Sequence, residues 1–354
     1  METRSVDLQK ILGAFALLAV AGCASVSPGR IIADRMDYGQ VIADSWKRQT
    51  LLNVVRLRYA DAPVFLDVAS VINSYSVGGK ASAGASLQSG ALSDGYELGA
   101  EGIWSNTPTV TYQPLLGDRF TRSLLQPIPP SAIFQLLQGG WPADLVMKTV
   151  VQSINGLRND SLGVGADPAF RELLEALTRI QRAGGVGIRV EARKDGSAVV
   201  LVLRPQDLDA GLREDRRRVQ ESLGLETGVG EFEIAYGLVP RKPHEVAMVT
   251  RSMLELILEL GFGIELPATH VTEGRATPSR QQVGDAQSSA LARIRSGTQA
   301  PANAYTAIPY KGYWYWIDDT DIASKRIFTF LLILFSLAET GQSTAAPVVT
   351  VPSR

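Results

Sequence analysis

A single cysteine, Cys23, stands among 354 residues. A chain with one thiol closes no internal disulfide, so its fold must be held by packing and hydrogen bonds alone. The apolar share of 45% is that of an ordinary globular chain. The length suffices for one large domain or two ordinary ones. Basic and acidic residues balance to a net charge of −1, which gives no electrostatic reason to expect nucleic acid as a partner.

The position of the thiol is as informative as its solitude. Arg4 and Lys10, mixed with Glu2 and Asp7, precede an uncharged run, ILGAFALLAV, over residues 11–20. At about 10 residues this run is too short for a membrane-crossing helix, which needs roughly 20. It fits the apolar core of a secretory signal peptide, and the small residues after it fit a cleavage site. No later segment is long enough to cross a bilayer as a helix. The densest, IFTFLLILFSLA over residues 327–338, has the length of a core helix.

The end of the leader, Val20-Ala21-Gly22-Cys23, resembles the lipobox of bacterial lipoproteins. The resemblance covers only the first two dozen residues. It implies cleavage before Cys23 and acylation of its sulfur, and it makes membrane lipid the first expected partner. Each buried methylene contributes about 0.8 kcal/mol, and several acyl chains anchor stably where one does not. Ala24 stands where an inner-membrane retention signal would place aspartate, so the resemblance implies the periplasmic face of the outer membrane. Residues 1–22 are then the signal and 23–32 a lipidated tether. A periplasmic body follows over 33–271, a polar linker over 272–290, and a C-terminal segment over 291–354 that completes the body. The body itself resembles no characterised family.

Along the body, apolar spacing predicts a helix over 33–59, stopped at Asp61-Ala62-Pro63. Branched residues predict a strand over 64–75. Residues 76–112 are unusual. Ala81, Ala83, Ala85 and Leu87 alternate with Ser82, Gly84, Ser86 and Gln88, and beyond a loop at 89–95 Tyr96, Leu98 and Ala100 alternate with Glu97, Gly99 and Glu101. This predicts a long, Ala/Gly/Ser-rich hairpin, with a short strand added at 109–112. A helix is predicted over 132–138, and the apolar run over 145–154 favours a helix with a strand as the alternative. Asp167-Pro168 reads as an N-cap and first turn, opening a helix that carries Phe170, Leu173, Leu177 and Ile180. A hairpin around Asp195-Gly196 joins Ile188, Val190 and Ala192, with Arg189 and Glu191 on a wet face, to the apolar strand 199–203. A charged helix over 212–223 and a strand with Phe232, Ile234 and Tyr236 come next. Val246, Val249, Met253, Leu256 and Leu260 predict a further helix. An aromatic strand over 313–317, a helix over 322–337 and a last strand over 348–351 complete the chain. Helices and strands mix without a regular βαβ rhythm, so the expected class is α+β: a mixed or antiparallel sheet packed by helices, with a projecting hairpin.

Chemistry-bearing motifs are sparse. His244 and His270 lack a second ligand at zinc spacing and are expected at the surface, the first in the opening turn of a helix. Hydrolase and nucleotide-loop signatures do not occur, and no cofactor or metal is expected. Asp318, Asp319 and Asp321 precede a helix and read as caps. Arg213, Arg216, Arg217 and Arg218 are offset by Glu214, Asp215 and Glu221 and read as a solvated face. Tyr313, Trp314, Tyr315 and Trp316, with Tyr310 nearby, form the candidate ligand-stacking set. On a strand, one pair would bury while the other offers a surface for a sugar or peptide.

Three functional readings follow. The leading one is a non-enzymatic, membrane-anchored lipoprotein with a binding or envelope-assembly role, its partners envelope proteins or glycan, its oligomeric state open. The second is an oligomeric outer-membrane pore or secretion-type lipoprotein that inserts the 80–104 hairpin. The third is a cell-wall hydrolase or transglycosylase using Glu97, Glu101 or Asp318.

Overall fold

The computed structural model describes residues 28–86, 95–160, 165–193, 196–204, 209–278 and 290–339. The leader, Cys23, the hairpin loop at 87–94, most of the polar linker and the strand expected at 348–351 lie outside the described residues, as do the side chains of 28–35, 67–113 and 192–197. The element order is α1 (Pro28–Arg58), β1 (Leu66–Ser86), β2 (Gly95–Pro114), α2 (Gly117–Phe120), α3 (Pro130–Gln138), α4 (Ala143–Val150), β3 (Val151–Ile154), β4 (Leu157–Arg158) and α5 (Pro168–Arg182). There follow β5 (Val186–Arg193), β6 (Gly196–Leu203), α6 (Ala210–Ser222), β7 (Glu231–Tyr236), β8 (Glu245–Thr250), α7 (Met253–Gly261), α8 (Ala268–Thr272), β9 (Arg295–Gly297), β10 (Ala304–Tyr310), β11 (Tyr313–Asp318) and α9 (Ile322–Glu339). The fold is α+β. No described helix is long and apolar enough to cross a membrane.

Two compact units share these elements. The first comprises the described parts of Met1–Ala60, Asp160–Ala166 and Ile257–Leu334. Its sheet is antiparallel, in the order β10-β11-β9. Leu51, Val54 and Val55 of α1 are buried, as are Ile308, Tyr315 and Ile317 of the sheet and Phe328, Phe330 and Leu331 of α9. The β10–β11 turn uses Lys311 and Gly312 at φ 45° and 83°, so both residues are left-handed, as a two-residue hairpin turn requires. After α7, the Gly263 carbonyl accepts from Ile294 N–H at 3.0 Å, and Glu265 N–H donates back to the Ile294 carbonyl at 2.8 Å, in the segment before β9. A Cβ on Gly263 would overlap the Ala292 carbonyl oxygen, so glycine is required there by space.

The second unit comprises the described parts of Asp61–Asn159, Asp167–Leu256 and Phe335–Arg354. Its six-stranded sheet runs β4-β3-β8-β7-β6-β5. Every neighbouring pair is antiparallel except β7 and β8, which are parallel. Phe170, Leu173 and Ile180 of α5, Val146 and Met147 of α4, and Leu201, Leu203, Phe232, Val246 and Met248 of the sheet form its core. A gap of about 30 Å³ in this core is lined by Phe134, Met147, Ile154, Leu177, Leu201 and Val246 among others. That is space on the scale of a water molecule, below what an organic ligand needs. Separately, β1 and β2 form a two-stranded antiparallel ribbon. Its register runs from Leu66 opposite Pro114 to Ser86 opposite Gly95, with a bulge between Val68 and Ser70. The short strand expected at 109–112 is the continuation of β2.

Several expectations are corrected. The helix predicted through Val246, Val249 and Met253 is instead strand β8 followed by α7. Inserted between β7 and β3, β8 is buried over almost its whole length. A strand buried on both faces is apolar throughout, so by coincidence it satisfies helical spacing as well. The true helix start is written in Ser252 and Glu255. Ser252 Oγ accepts from Glu255 N–H at 3.2 Å, and the Glu255 carboxylate accepts from Ser252 N–H at 2.7 Å, a reciprocal capping box. The segment 145–154 divides in the same way, helix α4 passing directly into β3. Asp167 occupies the N-cap position, but its carboxylate caps no helix N–H. It accepts instead from the Arg158 backbone at 2.8 Å and from the Arg158 guanidinium at 3.2 Å. On β5, the edge strand, the expected dry face is covered only in part: Ile188 is half-buried and Val190 is 57% exposed.

Arg251 is the largest fully buried side chain among the described residues, 2% exposed. It follows β8, and its Nη1 donates to the carbonyls of Lys148 at 3.1 Å and Thr149 at 2.7 Å. A guanidinium at the last turn of α4 satisfies carbonyls that the helix leaves open and complements its negative end.

Candidate functional site

In the first unit the sequence delivers three polar aromatic side chains to one point. Tyr59 arrives one residue past the end of α1, His270 from α8 and Tyr315 from the middle of β11. All three are buried: Tyr59 is 5% exposed, His270 4% and Tyr315 0%. The Tyr59 hydroxyl lies 2.6 Å from His270 Nδ1 and 2.6 Å from the Tyr315 hydroxyl. Burial, aided by the positive charges of Arg275 and Lys311 and opposed by Glu273, pushes the His270 pKa below that of a free imidazole. Burial also raises both phenols.

Proton directions follow from satisfying each buried group. Tyr315 has no hydroxyl partner besides Tyr59 among the described residues. Its single proton must therefore go to Tyr59 or be left unpaired in the core, which costs about 1–3 kcal/mol. Tyr315 donates to Tyr59, Tyr59 donates to Nδ1, and the neutral imidazole carries its proton on Nε2. The chain is a one-way relay of donors ending at a histidine. Around it, the Tyr313 ring meets the imidazole edge-on at 4.9 Å, and the Tyr310 ring lies 5.7 Å from that of Tyr59. The Lys311 ammonium sits 5.0 Å over the Tyr59 ring and 5.5 Å over Tyr310. The Tyr313 hydroxyl is 3.0 Å from that of Thr269.

The predicted stacking set does not divide into a buried pair and an exposed pair, since Tyr313 shares a face with Tyr315 yet is only half-buried. Tyr315 is wholly inside and presents no surface, while Tyr313, Trp314 and Trp316 are half-buried. Trp316 covers the backbone of β9: a Cβ on Gly297 would lie 3.2 Å from its Cη2. His270, expected at the surface, is the correction that matters most here. It sits in a short Pro/Thr segment with no apolar stripe, and its burial comes from α1 and β11, which reach it from far along the chain. His244 remains exposed, 3.6 Å from Glu226, although it precedes a strand rather than opening a helix.

The acidic cluster behaves as a cap. Asp321 accepts from Ser324 N–H at 3.1 Å at the start of α9. Asp318 accepts from Thr320 N–H and Oγ1, and Asp319 pairs with Lys325 at 2.6 Å. Among the described residues no three His, Cys, Asp or Glu side chains gather as a metal site would require. On α6, Arg217 pairs with Glu214 and Glu221, and Arg218 with Glu214, as a solvated face does. Asp215 turns inward and forms a two-point pair with Arg179 of α5 at 2.7 and 2.8 Å. Arg216, expected on the solvated face, is half-buried and donates from Nη2 to the Val229 carbonyl at 3.0 Å. Cys23 and the side chains of Glu97 and Glu101 lie outside the described residues.

Searches among protein-family models, curated proteins and solved structures find no match to this chain.

Proposed function

We propose that the protein is a lipid-anchored lipoprotein of the periplasmic face of the outer membrane, and that it works by binding and envelope assembly rather than by turnover. The anchor reading rests on the Val20-Ala21-Gly22-Cys23 ending of the leader. The assembly reading is carried by the ribbon of β1 and β2, 21 and 20 residues long and, among the described residues, paired with no other strand. A two-stranded ribbon is marginal in water by itself. Each outer edge is also a row of backbone donors and acceptors ready to pair with another strand. A chain that keeps such a length of ribbon needs something to stabilise it, and another protein strand supplies both edge pairing and coverage. The buried Tyr315–Tyr59–His270 relay is assigned a structural part, tying α1, α8 and β11 into one core.

The test is metabolic labelling with palmitate, followed by crosslinking of intact envelopes. The wild type takes up label, Cys23→Ala takes up none, and the crosslinked wild type migrates in complexes with envelope protein. A wild type that takes up no label, or one that crosslinks to nothing, contradicts the corresponding half of the proposal.

A further inference from the structure

We propose that the β1–β2 ribbon is a membrane-inserting arm that pairs edge to edge with the same ribbon of neighbouring copies to close a transmembrane β-barrel. This deepens the assembly reading, and rests on it, by naming the partner as further copies of this chain.

The observation that carries it is the register. From Ser70 opposite Thr111 to Ser86 opposite Gly95 the pairing is unbroken, so residues of one parity in β1 share a face with one parity in β2. One face receives the pairs Val77–Trp104, Gly79–Gly102, Ala81–Ala100, Ala83–Leu98 and Ala85–Tyr96. The other receives Ser76–Ser105, Gly78–Ile103, Lys80–Glu101, Ser82–Gly99, Gly84–Glu97 and Ser86–Gly95. Lys80, Glu97 and Glu101 are the ionisable residues of the paired strands between Ser76 and Ser105, and all three fall on the second face. Lys80 and Glu101 stand directly opposite one another there. The first face carries no charge over this length. Ile103 is the one large apolar residue on the polar face.

The dimensions agree. Aromatic residues bracket the uncharged face, Tyr75 and Trp104 at one end and Tyr96 at the other. Tyr75 to Ala85, the partner of Tyr96, is ten steps of about 3.3 Å, or about 33 Å along the strand. At the tilt of about 40° usual in membrane barrels this spans about 25 Å, the height of the apolar band between two aromatic girdles. The sequence pattern alone marks only 80–104; the register extends the matched segment outward to the Tyr75–Asn106 pair.

An open ribbon cannot sit in hydrocarbon, because its unpaired edges would leave backbone groups without hydrogen bonds. The six-stranded and three-stranded sheets of this chain do not pair with β1 or β2. A second copy provides a strand of the same length and parity on each side, so charges face a common lumen and the uncharged faces meet lipid. Two strands per copy, with about eight the smallest barrel known in membranes, require about four copies or more.

Single cysteines introduced at Ala81, Ala83, Ser82 and Gly84 test this in the acylated full-length lipoprotein. Acylation of Cys23 leaves each introduced thiol as the one free site. A polarity-sensitive fluorophore is attached, and the protein is reconstituted in phosphatidylethanolamine–phosphatidylglycerol vesicles. The expected result is blue-shifted emission at 81 and 83, with iodide quenching at least fivefold weaker than at 82 and 84, and crosslinked assemblies of about four chains or more. Equal quenching at both parities, or a chain that remains a monomer in the vesicles, overturns the inference. If Cys23 is acylated while quenching is flat, the barrel fails and the anchor stands. If the wild type carries no lipid on Cys23, the series is read in a Cys23→Ala background, where each introduced thiol is again the one free site; alternating quenching there lets the barrel stand while the anchor fails.

Discussion

Replacing Tyr59 with phenylalanine removes one oxygen from the middle of a chain of three buried groups, and its cost can be set against that of the same change at Tyr315. In Tyr59→Phe both 2.6 Å hydrogen bonds go. Two polar atoms remain in the core without partners, the Tyr315 hydroxyl and His270 Nδ1. At roughly 1–3 kcal/mol for each stranded group, the loss is about 2–6 kcal/mol. In Tyr315→Phe a single bond is lost. Tyr59 keeps its proton on Nδ1, and only an acceptor lone pair on its oxygen goes unfilled, so the cost is about 1 kcal/mol. The two substitutions delete the same atom from the same residue type, yet the first is expected to destabilise more by at least about 1 kcal/mol. Urea unfolding of the detergent-solubilised protein, followed by tyrosine and tryptophan fluorescence, measures both. Equal losses, or a larger loss in Tyr315→Phe, would refute the direction of donation and with it the neutral Nε2–H imidazole.

The pH profile tests the same relay from another side. His270 has its pKa lowered in the folded state, so stability is full above about pH 6.5, the value of the free side chain, and falls as the pH drops below it; a flat profile between pH 7 and 5 in wild type relative to His270→Gln contradicts this. The phenols of Tyr59 and Tyr315 are raised, so their contribution is complete below about pH 10 and declines above it, and Tyr315→Phe should flatten that alkaline decline. Gly263→Ala forces a Cβ into the Ala292 carbonyl and should leave little folded protein, visible as loss of the cooperative transition; a wild-type midpoint would show that the backbone there yields easily. Arg251→Ala removes the guanidinium that serves the Lys148 and Thr149 carbonyls and opens a void, for about 3–5 kcal/mol in urea unfolding, and a loss below about 1 kcal/mol would dismiss its capping part. Asp215→Asn breaks the pair with half-exposed Arg179 and should cost only about 1 kcal/mol; because that carboxylate titrates below its free value, the wild-type advantage should fade as pH falls below about 4.

What the sequence makes legible, and what it hides, divides along local and long-range causes. The β5–β6 hairpin itself, the stop of α1 before Pro63 and the capping carboxylates ahead of α9 are written in neighbouring residues and could be read there, although the register pairs Gly196 with Arg193 and so puts it inside the ladder rather than in the turn, and Asp195 lies outside the described residues. Strand β8 could not. It is a central strand between β7 and the distant β3, buried over almost its whole length, and the resulting apolar run mimics a helical stripe. Only the Ser252–Glu255 pair marked where the helix truly begins. The relay was invisible for the same reason. Tyr59 and Tyr315 are separated by 256 positions and His270 lies 211 from Tyr59, so no local spacing joins them. Tyr313 to Trp316 were recognisable as an alternating aromatic strand, but which face would be buried was decided by where α1 ends. The hairpin's alternation was plain in each arm, whereas the pairing of one arm's parity with the other's depends on the register.

The account depends most on acyl chains at Cys23. Intact-mass analysis of the protein extracted from native membranes should find a chain beginning at Cys23, heavier than its residues by a diacylglyceryl thioether and an amide-linked acyl group. A chain that still begins at Met1, or one whose Cys23 reacts with a thiol reagent, contradicts it.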